Sequence, residues 1–269
     1  QGIDPIILAT REEHSSELID SVKNQNIKIR FSYAIIAANG YKKVQSAQIG
    51  KLNKDKTAFE NSETIECDCI CVSGFWTPTV HLASQSGNKL KFDDQIDAFV
   101  PDKSKQNEIS VGASKGTFTL KDTLDDGFKT GFDLSEKITN NNNLTLPPNV
   151  NEIKKNPHDK FWCSPLPKDK NFKRFVDFQN DVAVSDIEIA LREGYRSIEH
   201  VKRYTTLGMA TDQGRTSNLN GLQLVANVEK KIVPQVGHTT FRPPFTPITI
   251  GTIVGREVDM EYMPTRKTP

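Results

Sequence analysis

The sequence lacks the motif G-x-G-x-x-G, the glycine-rich turn that lets a loop and a helix N-terminus bind a dinucleotide pyrophosphate. No apolar run approaches the roughly 18 residues of a membrane-spanning helix, and the first residues show no basic segment typical of a secretion signal. The formal net charge is only +1, which gives no indication of nucleic acid or a membrane surface as a partner. What remains is the composition of a globular protein, and 269 residues with 36% apolar content suffice for about two domains.

Cysteine is also scarce, with only Cys67, Cys69, Cys71 and Cys163 in the chain. We predict a central strand over Glu66–Ser73, which places the first three cysteines on one face. Side chains on one face of a strand stay about 6.5 Å apart, whereas the Cβ atoms of a disulfide lie about 3.8 Å apart, so we expect reduced cysteines and a cytoplasmic protein. One strand cannot surround a metal ion either. We therefore favour three small side chains packed under a helix over a metal or redox site.

The N-terminal part is predicted to follow the order β-α-β-ββ-β. Its elements are a buried parallel strand Asp4–Ala9, a helix Glu12–Asn24, strands Asn26–Ile36 and Tyr41–Leu52 around a turn at Asn39-Gly40, a polar hairpin Asn53–Ser62 and the strand Glu66–Ser73. This order resembles the latter part of a dinucleotide-binding domain of the glutathione reductase type.

The absent glycine motif bears on how much of such a domain is present. Ala9, Thr10 and Arg11 end the first strand, where a domain of this type has a ribose-binding acid. We therefore expect an incomplete domain that begins after its first strand and helix. The alternative is a complete small α/β domain unrelated to nucleotides.

The rest of the chain is predicted to complete this domain and to add two further regions. The elements expected next are a hairpin Lys89–Val100, a strand and glycine turn Glu108–Gly116 and a helix Leu120–Ile138. The predicted regions are an α/β domain over 1–139, a linker over 140–173, a small helical domain over 174–232 and an extended, proline-rich tail over 233–269. The predicted fold class is thus α/β, with a small all-α domain and a tail.

The helical region has the clearest helix boundaries. Ser185 followed by Glu188 predicts a capping box at the start of the first helix, and Gly194 predicts its end. Two further helices are expected, one from Ser197 to near Gly208 and one over Asn218–Lys231.

This helical stretch resembles the small domain of the bacterioferritin-associated ferredoxin type, which holds a [2Fe–2S] cluster between two cysteine pairs. The four ligand positions fall on Asp177, Gln179, Asp212 and Ser217. Because such clusters need thiolates, the resemblance implies the helical scaffold without its metal site.

Three long ungapped segments, REGYRSIEHVKRYTTLGMATDQGRTSN, FRPPFTPITIGTIVGR and CDCICVSGFWTPTVHL, look very like the alpha subunit of heterotetrameric sarcosine oxidase. That subunit is several times longer, so the chain resembles a central slice of it, including the helical domain without a cluster. The resemblance implies oxidative demethylation of N-methylglycine to glycine, with hydrogen peroxide as a product. This chain would then supply scaffold and flavin interface.

The resemblance also implies cofactors and partners. FMN lies at an interface with a beta subunit and NAD binds the alpha subunit, whereas FAD lies in the beta subunit and folate in a domain beyond this chain. Without the glycine-rich loop, we expect no FAD, little or no NAD and no activity in the isolated chain. The alternatives are a subunit of an oxidase or dehydrogenase of another secondary amine (proline, hydroxyproline or an opine) and a non-enzymatic interaction module.

The residues themselves show no nucleophile, acid–base pair or metal set, and His81 is expected to be a packing residue because no carboxylate lies at usable spacing. The loop Thr205–Thr216 combines hydroxyls, glycines and an arginine ahead of a helix N-terminus, groups that suit a phosphate. We predict that this loop and the tail border the FMN. The predicted cofactor-binding residues are Thr205, Thr206, Gly208, Gln213, Gly214, Arg215, Thr216 and Arg242. The alternative for Arg215 is a cap or salt bridge within the helical domain.

Overall fold

The structure is a computed structural model, which describes residues 3–14, 16–74, 76–139, 147–151, 161–167, 172–243, 246 and 248–255. It divides into two compact units. The first contains residues 1–75 and 156–174, and the second contains residues 76–155 and 175–269. Most of the predicted linker lies outside the described residues, and the domain bounds drawn from the sequence stay a prediction. In the described part of the chain, no helix is long and apolar enough to cross a membrane.

The first unit contains the β-α-β element expected from the sequence and a three-stranded antiparallel sheet. Its elements are β1 (Ile6–Ala9), α1 (Glu17–Asn24), β2 (Lys28–Phe31), β3 (Tyr33–Gly40), β4 (Val44–Leu52) and β5 (Phe59–Glu66). β1 pairs in parallel with β2, and β3, β4 and β5 form the antiparallel sheet in that order. Helix α1 begins later than predicted because the Ser16 hydroxyl accepts a hydrogen bond from the Ile19 amide and caps the helix there.

The predicted strand Asn26–Ile36 is divided in two by Ser32, whose φ of 58° turns the backbone out of the extended conformation. The predicted hairpin between β3 and β4 forms, but its turn lies at residues 41–43 and not at Asn39-Gly40, which still pair with Ser46 and Val44. The second predicted hairpin joins β4 to β5. The core of this sheet contains Ala34, Ile36, Ala47, Ile49 and Leu52. The strand β1 was expected to be buried, but Ile6 and Ile7 are each more than a third exposed.

The predicted strand Glu66–Ser73 is wrong. β5 ends at Glu66, and residues 67–74 form neither helix nor strand. Cys69 and Cys71 are exposed and Cys67 is partly buried, so the expected packing of three cysteines under a helix is wrong as well. An apolar run of this length predicts a strand, but the strand forms only where a neighbouring strand supplies hydrogen bonds. The chain pairs onto the sheet only as far as Cys67, whose amide donates to the Gln45 carbonyl at 3.1 Å.

The second unit combines two small hairpins with a series of helices. Its elements are α2 (His81–Gln85), β6 (Leu90–Asp93), β7 (Ala98–Pro101), a 3₁₀ turn (Gly112–Lys115), α3 (Leu120–Thr139), β8 (Phe175–Asp177), β9 (Val182–Ala183), α4 (Val184–Arg192), α5 (Ile198–Thr205), α6 (Asn218–Glu229), α7 (Val233–Val236) and α8 (Ile250–Val254). The predicted hairpin over Lys89–Val100 and the helix from Leu120 are confirmed. The strand predicted from Glu108 is absent, since residues 108–111 have no regular structure, while the predicted glycine turn is present as the 3₁₀ turn that ends at Gly116 with a φ of 96°.

Three helices, α4, α5 and α6, enclose the best buried core of the molecule. The apolar side chains that contribute to it are Ile187, Ala190, Leu191, Ile198, Val201, Leu222, Val225 and Ala226. Helix α4 ends as predicted at Gly194, whose φ of 97° suits glycine. Its start differs from the prediction. Asp186 rather than Glu188 reaches back, accepting a hydrogen bond from the Ala183 amide at 2.8 Å, because the helix begins one residue before Ser185.

The predicted extended tail also contains short helices. α7 begins at Val233 with Pro234 in its first turn, where a proline costs no hydrogen bond. α8 begins after Thr249, whose hydroxyl accepts a hydrogen bond from the Thr252 amide. Between them, residues 239–243 run without regular structure across the second unit. The tail beyond residue 255 lies outside the described residues.

Candidate functional site

A cavity of about 310 Å³ lies in the second unit, where helix α5, the loop after it and the tail segment meet. Its lining residues are Glu199, Lys202, Arg203, Met209, Gln213 and Arg242. Three of these side chains are cationic and one is a carboxylate. Glu199 forms an ion pair with Arg203 at 3.3 Å within α5, which leaves the other two cations as an excess of positive charge. The cavity is therefore suited to an anion.

The tail closes one side of this cavity through hydrogen bonds to α5 and the loop. The Lys202 Nζ donates to the Thr240 carbonyl at 2.8 Å, and the Thr240 amide donates to Glu199 Oε1 at 2.5 Å. Two residues on, the Arg242 amide donates to Gln213 Oε1 at 3.0 Å. These contacts fix the backbone on either side of Phe241, so the position of Arg242 beside the cavity follows from specific hydrogen bonds.

Lys202 is an unusual residue for a helix surface because it is buried, with only 6% of its surface exposed. Burial lowers the pKa of its ammonium group; Glu199 opposes this effect, and the positive charges of Arg242 and Arg203 add to it. A second negative charge in the cavity would compensate the cost of burying this ammonium group.

Gln213 connects the cavity to the interior of the unit. The side-chain amide of Gln213 donates to the Ala210 carbonyl at 3.0 Å. The backbone carbonyl of Gln213 accepts from His81 Nε2 at 3.0 Å and from the side-chain amide of Asn218 at 3.2 Å. The His81 ring stacks on Phe241 with 4.1 Å between centroids. Histidine 81 is thus a packing residue, as the sequence predicted, and it holds the tail and the loop together.

The pKa of His81 lies below its ordinary value. Burial is the main cause, the hydrogen bond to the Gln213 carbonyl opposes it, and the nearby positive charge of Arg215 adds to it. His81 is consequently held as a neutral imidazole that donates from Nε2.

Of the residues predicted to bind a cofactor, Gln213 and Arg242 line the cavity together. The two predicted threonines at the end of α5 have local roles. The Thr205 hydroxyl donates to the Val201 carbonyl at 2.8 Å and accepts from the Leu207 amide. Thr206 ends the helix with a φ of 64°.

The two predicted glycines leave space for a side chain of the protein itself. A Cβ atom at either Gly208 or Gly214 would lie 2.2 Å from the Asn218 side chain. Both have a positive φ. The sequence predicted that the backbone approaches a phosphate at these positions, which stays a prediction; in the structure the group close to both glycines is the side chain of Asn218, at the start of α6.

The remaining two predicted residues, Arg215 and Thr216, do not line the cavity either. The Thr216 hydroxyl donates to Asp212 Oδ2 at 3.2 Å. Arg215 is partly buried, and its charge acts on His81 in the interior of the unit. This placement agrees with the alternative of a structural role for Arg215 within its own unit.

The four positions that correspond to cluster ligands come together in hydrogen-bonded pairs. Asp177 Oδ2 accepts from the Gly208 amide at 2.8 Å and from the Ser217 hydroxyl at 3.4 Å. Gln179 Oε1 accepts from the Asp212 amide at 3.3 Å. Among the described residues, no three His, Cys, Asp or Glu side chains are placed to hold a metal ion. Hydrogen bonds between oxygen and nitrogen or oxygen atoms thus connect the segments that carry these four positions.

The sequence analysis missed four of the six lining residues, namely Glu199, Met209 and the basic pair Lys202 and Arg203. The basic pair follows Val201 in the middle of an amphipathic helix, where adjacent basic residues usually face the solvent. The burial of Lys202 results from the return of the tail, which no local pattern predicts. One feature of the sequence could have indicated Lys202 and Arg203, because both lie directly before the loop Thr205–Thr216 that was predicted to bind a phosphate.

Comparison with known proteins places this cavity within a recognised domain. Residues 171–256 match the family model described as the sarcosine oxidase A3 domain, and every lining residue falls inside that range. The alpha subunit of sarcosine oxidase from Rhizobium meliloti (strain 1021) is 38% identical over 215 residues, which cover 77% of this chain and 21% of that subunit. The alpha subunit from Corynebacterium sp. (strain P-1) is 33% identical over 237 residues, or 86% of this chain and 24% of that subunit.

The chain is a relative of the sarcosine oxidase alpha subunits. It spans less than a quarter of the length of these curated relatives. The predicted resemblance to this family is confirmed.

A solved structure extends the comparison to the fold. A chain in the crystal structure of L-proline dehydrogenase from P. horikoshii superposes with a TM-score of 0.57, covering 91% of this chain and 49% of that one. The sequences are 17% identical, so the likeness concerns the fold. Mixed helices and strands, as predicted, are confirmed, while the incomplete dinucleotide-binding arrangement stays a prediction.

Proposed function

We propose that the chain is part of the alpha subunit of a multi-subunit sarcosine oxidase, an assembly that oxidatively demethylates N-methylglycine to glycine and forms hydrogen peroxide. The observation that carries this proposal is the match of residues 171–256 to the A3 domain, together with identity to alpha subunits on both sides of residue 171. The lining of the cavity contains no histidine, cysteine, serine or threonine. The role proposed for the chain is therefore that of scaffold and flavin interface.

The cavity gives this interface a chemical basis. We assign to Lys202, Arg203 and Arg242 the binding of the phosphate of an FMN. Gln213 positions Arg242, because its Oε1 accepts a hydrogen bond from the Arg242 backbone amide. Hydrogen bonds and ion pairs from arginine and lysine to phosphate are among the strongest polar contacts. The other predicted residues, Thr205, Thr206, Gly208, Gly214, Arg215 and Thr216, shape the loop that forms one wall. A bound flavin would supply the electron transfer, and this chain would hold its phosphate.

The remaining cofactors and partners follow from the same proposal. NAD would belong to the α/β part of the complete alpha subunit, whereas FAD and folate would be bound by other parts of the assembly or by partner subunits. A beta subunit would complete the flavin site, in a heterotetramer located in the cytoplasm. The isolated chain would show no peroxide formation from N-methylglycine.

The test is FMN retention in the assembly co-expressed with its beta subunit. Arg242→Ala should weaken FMN by the loss of one charge-assisted contact, about 1.5–3 kcal/mol, or roughly tenfold to a hundredfold in Kd. Riboflavin, which has no phosphate, should bind equally well to both proteins. Arg192→Ala, which removes an exposed arginine from the last turn of α4, is the matched control. Unchanged FMN content in both Arg242→Ala and Lys202→Met would remove the phosphate assignment.

A second candidate is a subunit of a dehydrogenase of another secondary amine. The fold likeness to L-proline dehydrogenase from P. horikoshii favours it. Assays of the assembly with N-methylglycine and L-proline, read by peroxide release and by reduction of an artificial electron acceptor, separate the two candidates. Absence of turnover with either amine, in an assembly that retains its flavin, would instead indicate an interaction module.

A further inference from the structure

A pair of thiols lies in the first unit, more than a hundred residues before the residues that line the cavity. Cys69 and Cys71 follow β5, and their Sγ atoms are 3.7 Å apart. Both residues are exposed. Neither contributes to the function proposed above, so the observation stands independently of it.

The two sulfur atoms are in van der Waals contact, so a small movement would bring them to bonding distance. A disulfide needs an Sγ–Sγ distance of about 2.05 Å and a Cα separation below about 7 Å. Residues two apart cannot exceed roughly 7 Å between Cα atoms, since even an extended chain advances at most ~3.6 Å per residue. Because residues 67–74 form neither helix nor strand, the backbone can adjust without breaking a sheet. The argument that excluded pairing within a flat strand does not apply to this segment.

We infer that Cys69 and Cys71 are a site of reversible oxidation, at which hydrogen peroxide converts the two thiols into an intramolecular disulfide. One thiolate attacks the peroxide, which breaks the O–O bond and gives a sulfenic acid and one water. The second thiol then attacks the sulfenic sulfur and releases a second water. Two thiols and one peroxide thus yield one disulfide and two waters, with two electrons passing to the oxygen atoms.

The contact between the two thiols provides a resolving group for the sulfenic acid. The hydrogen bond with Cys71 raises the pKa of the Cys69 thiol. Because the sulfur atoms are 3.7 Å apart, the thiol that has not been oxidised is in place to attack the sulfenic sulfur. Exposed thiols placed next to a resolving cysteine are typical of redox-sensing sites in reducing compartments.

The experiment compares two variants of the full chain that each retain one C-x-C pair. Cys67→Ser leaves Cys69 and Cys71, whereas Cys71→Ser leaves Cys67 and Cys69 at the same spacing. Both proteins carry Cys163→Ser to remove the fourth cysteine. After reduction and buffer exchange they are exposed to hydrogen peroxide, alkylated at intervals and weighed by mass spectrometry. The Cys67→Ser protein should form the intramolecular disulfide, which is lighter than the reduced protein by two hydrogen atoms, several-fold faster than the Cys71→Ser protein. Dithiothreitol should restore the starting mass.

The same comparison in concentrated urea is the control for spacing alone, and there the two variants should react at equal rates. A sulfenic acid trapped by dimedone should accumulate on Cys71 when Cys69 is replaced by Ser. Equal rates of disulfide formation in the folded proteins, or a folded Cys67→Ser protein that yields only sulfinic acid, would overturn the inference.

Discussion

The helical part of the second unit and the N-terminal part of the first unit differ in how they are stabilised. Helices α4, α5 and α6 bury Ile187, Ala190, Val201 and Ala226 completely, at 0% exposure. In the first unit, α1 buries no residue, and Ile6 and Ile7 of β1 are 37% and 38% exposed. The helical region therefore has a core formed by neighbours in sequence, while the parallel strand pair β1–β2 does not.

The difference teaches which parts of a chain its own sequence can specify. A helix end depends on a few local residues, so the glycine that ends α4 was predicted correctly. A parallel strand depends on partners on both faces and both edges. In the described part of the first unit, β1 and β2 form a sheet of two strands, and the side chains of β1 stay partly exposed.

The largest effect that would test this contrast is the loss of a core side chain. Ile187→Ala should reduce the free energy of unfolding by about 2–5 kcal/mol, because it removes buried methylene groups and leaves a cavity. The matched variant Ile7→Ala should cost far less, since that side chain already contacts water. Urea denaturation followed by circular dichroism measures both.

Hydrogen exchange of peptides from α4, α5 and α6 locates the effect. Protection should decrease in these helices in Ile187→Ala and remain unchanged there in Ile7→Ala. Similar losses of stability in the two variants would contradict the contrast between the regions.

The errors of the sequence analysis share one physical cause. Ser185 and Glu188 fit a capping box, but the helix begins two residues earlier than this box predicts, at the buried Val184, and Asp186 takes the role predicted for Glu188. The apolar run from Cys67 fits a strand, but β5 ends at Glu66 and no further strand pairs with the segment among the described residues. In both cases the tertiary surroundings outweighed a plausible local pattern.

The residues of the candidate site likewise differ in whether local sequence patterns or tertiary contacts determine their positions. Gln213 and Arg242 were predicted because the loop and the tail each carry visible chemical signals. Lys202 could not be predicted, since its burial depends on hydrogen bonds from a tail segment about forty residues away, in which Thr240 contacts both Lys202 and Glu199.

A smaller but still substantial effect is expected from the hydrogen bonds of the buried Asp177. Asp177→Ala should reduce the free energy of unfolding by about 1–3 kcal/mol, because it leaves the buried Gly208 amide without its acceptor. Asp212→Ala, at a half-buried carboxylate in the loop, should cost less because water can replace it. Thermal denaturation of both variants provides the measurement, and an equal cost would show that burial does not govern this network.

The next expected effect depends on pH and concerns His81. Its pKa is lowered in the folded chain, so the unfolded chain binds more protons once the pH falls below the ordinary histidine value of about 6.5. Stability should therefore decrease as the pH falls through this range, down to the lower pKa of the folded state. His81→Gln keeps a neutral N–H donor but cannot be protonated. Urea midpoints between pH 7 and 5 should show a shallower decrease for the variant, and parallel curves would remove His81 as the cause.

The smallest expected change in stability separates structure from function at the cavity itself. Arg203 is exposed and pairs with Glu199 one helical turn away, at 3.3 Å, so Arg203→Gln should alter the free energy of unfolding by only about 0.3–0.5 kcal/mol. The same change removes one of three cations from the cavity, so the affinity for inorganic phosphate should fall by much more than the stability does. Calorimetric titration with phosphate at low ionic strength measures the first quantity and urea denaturation the second. If Arg203→Gln destabilises the helix but leaves phosphate affinity unchanged, the ion pair with Glu199 is the whole role of Arg203, and the phosphate assignment rests on Lys202 and Arg242.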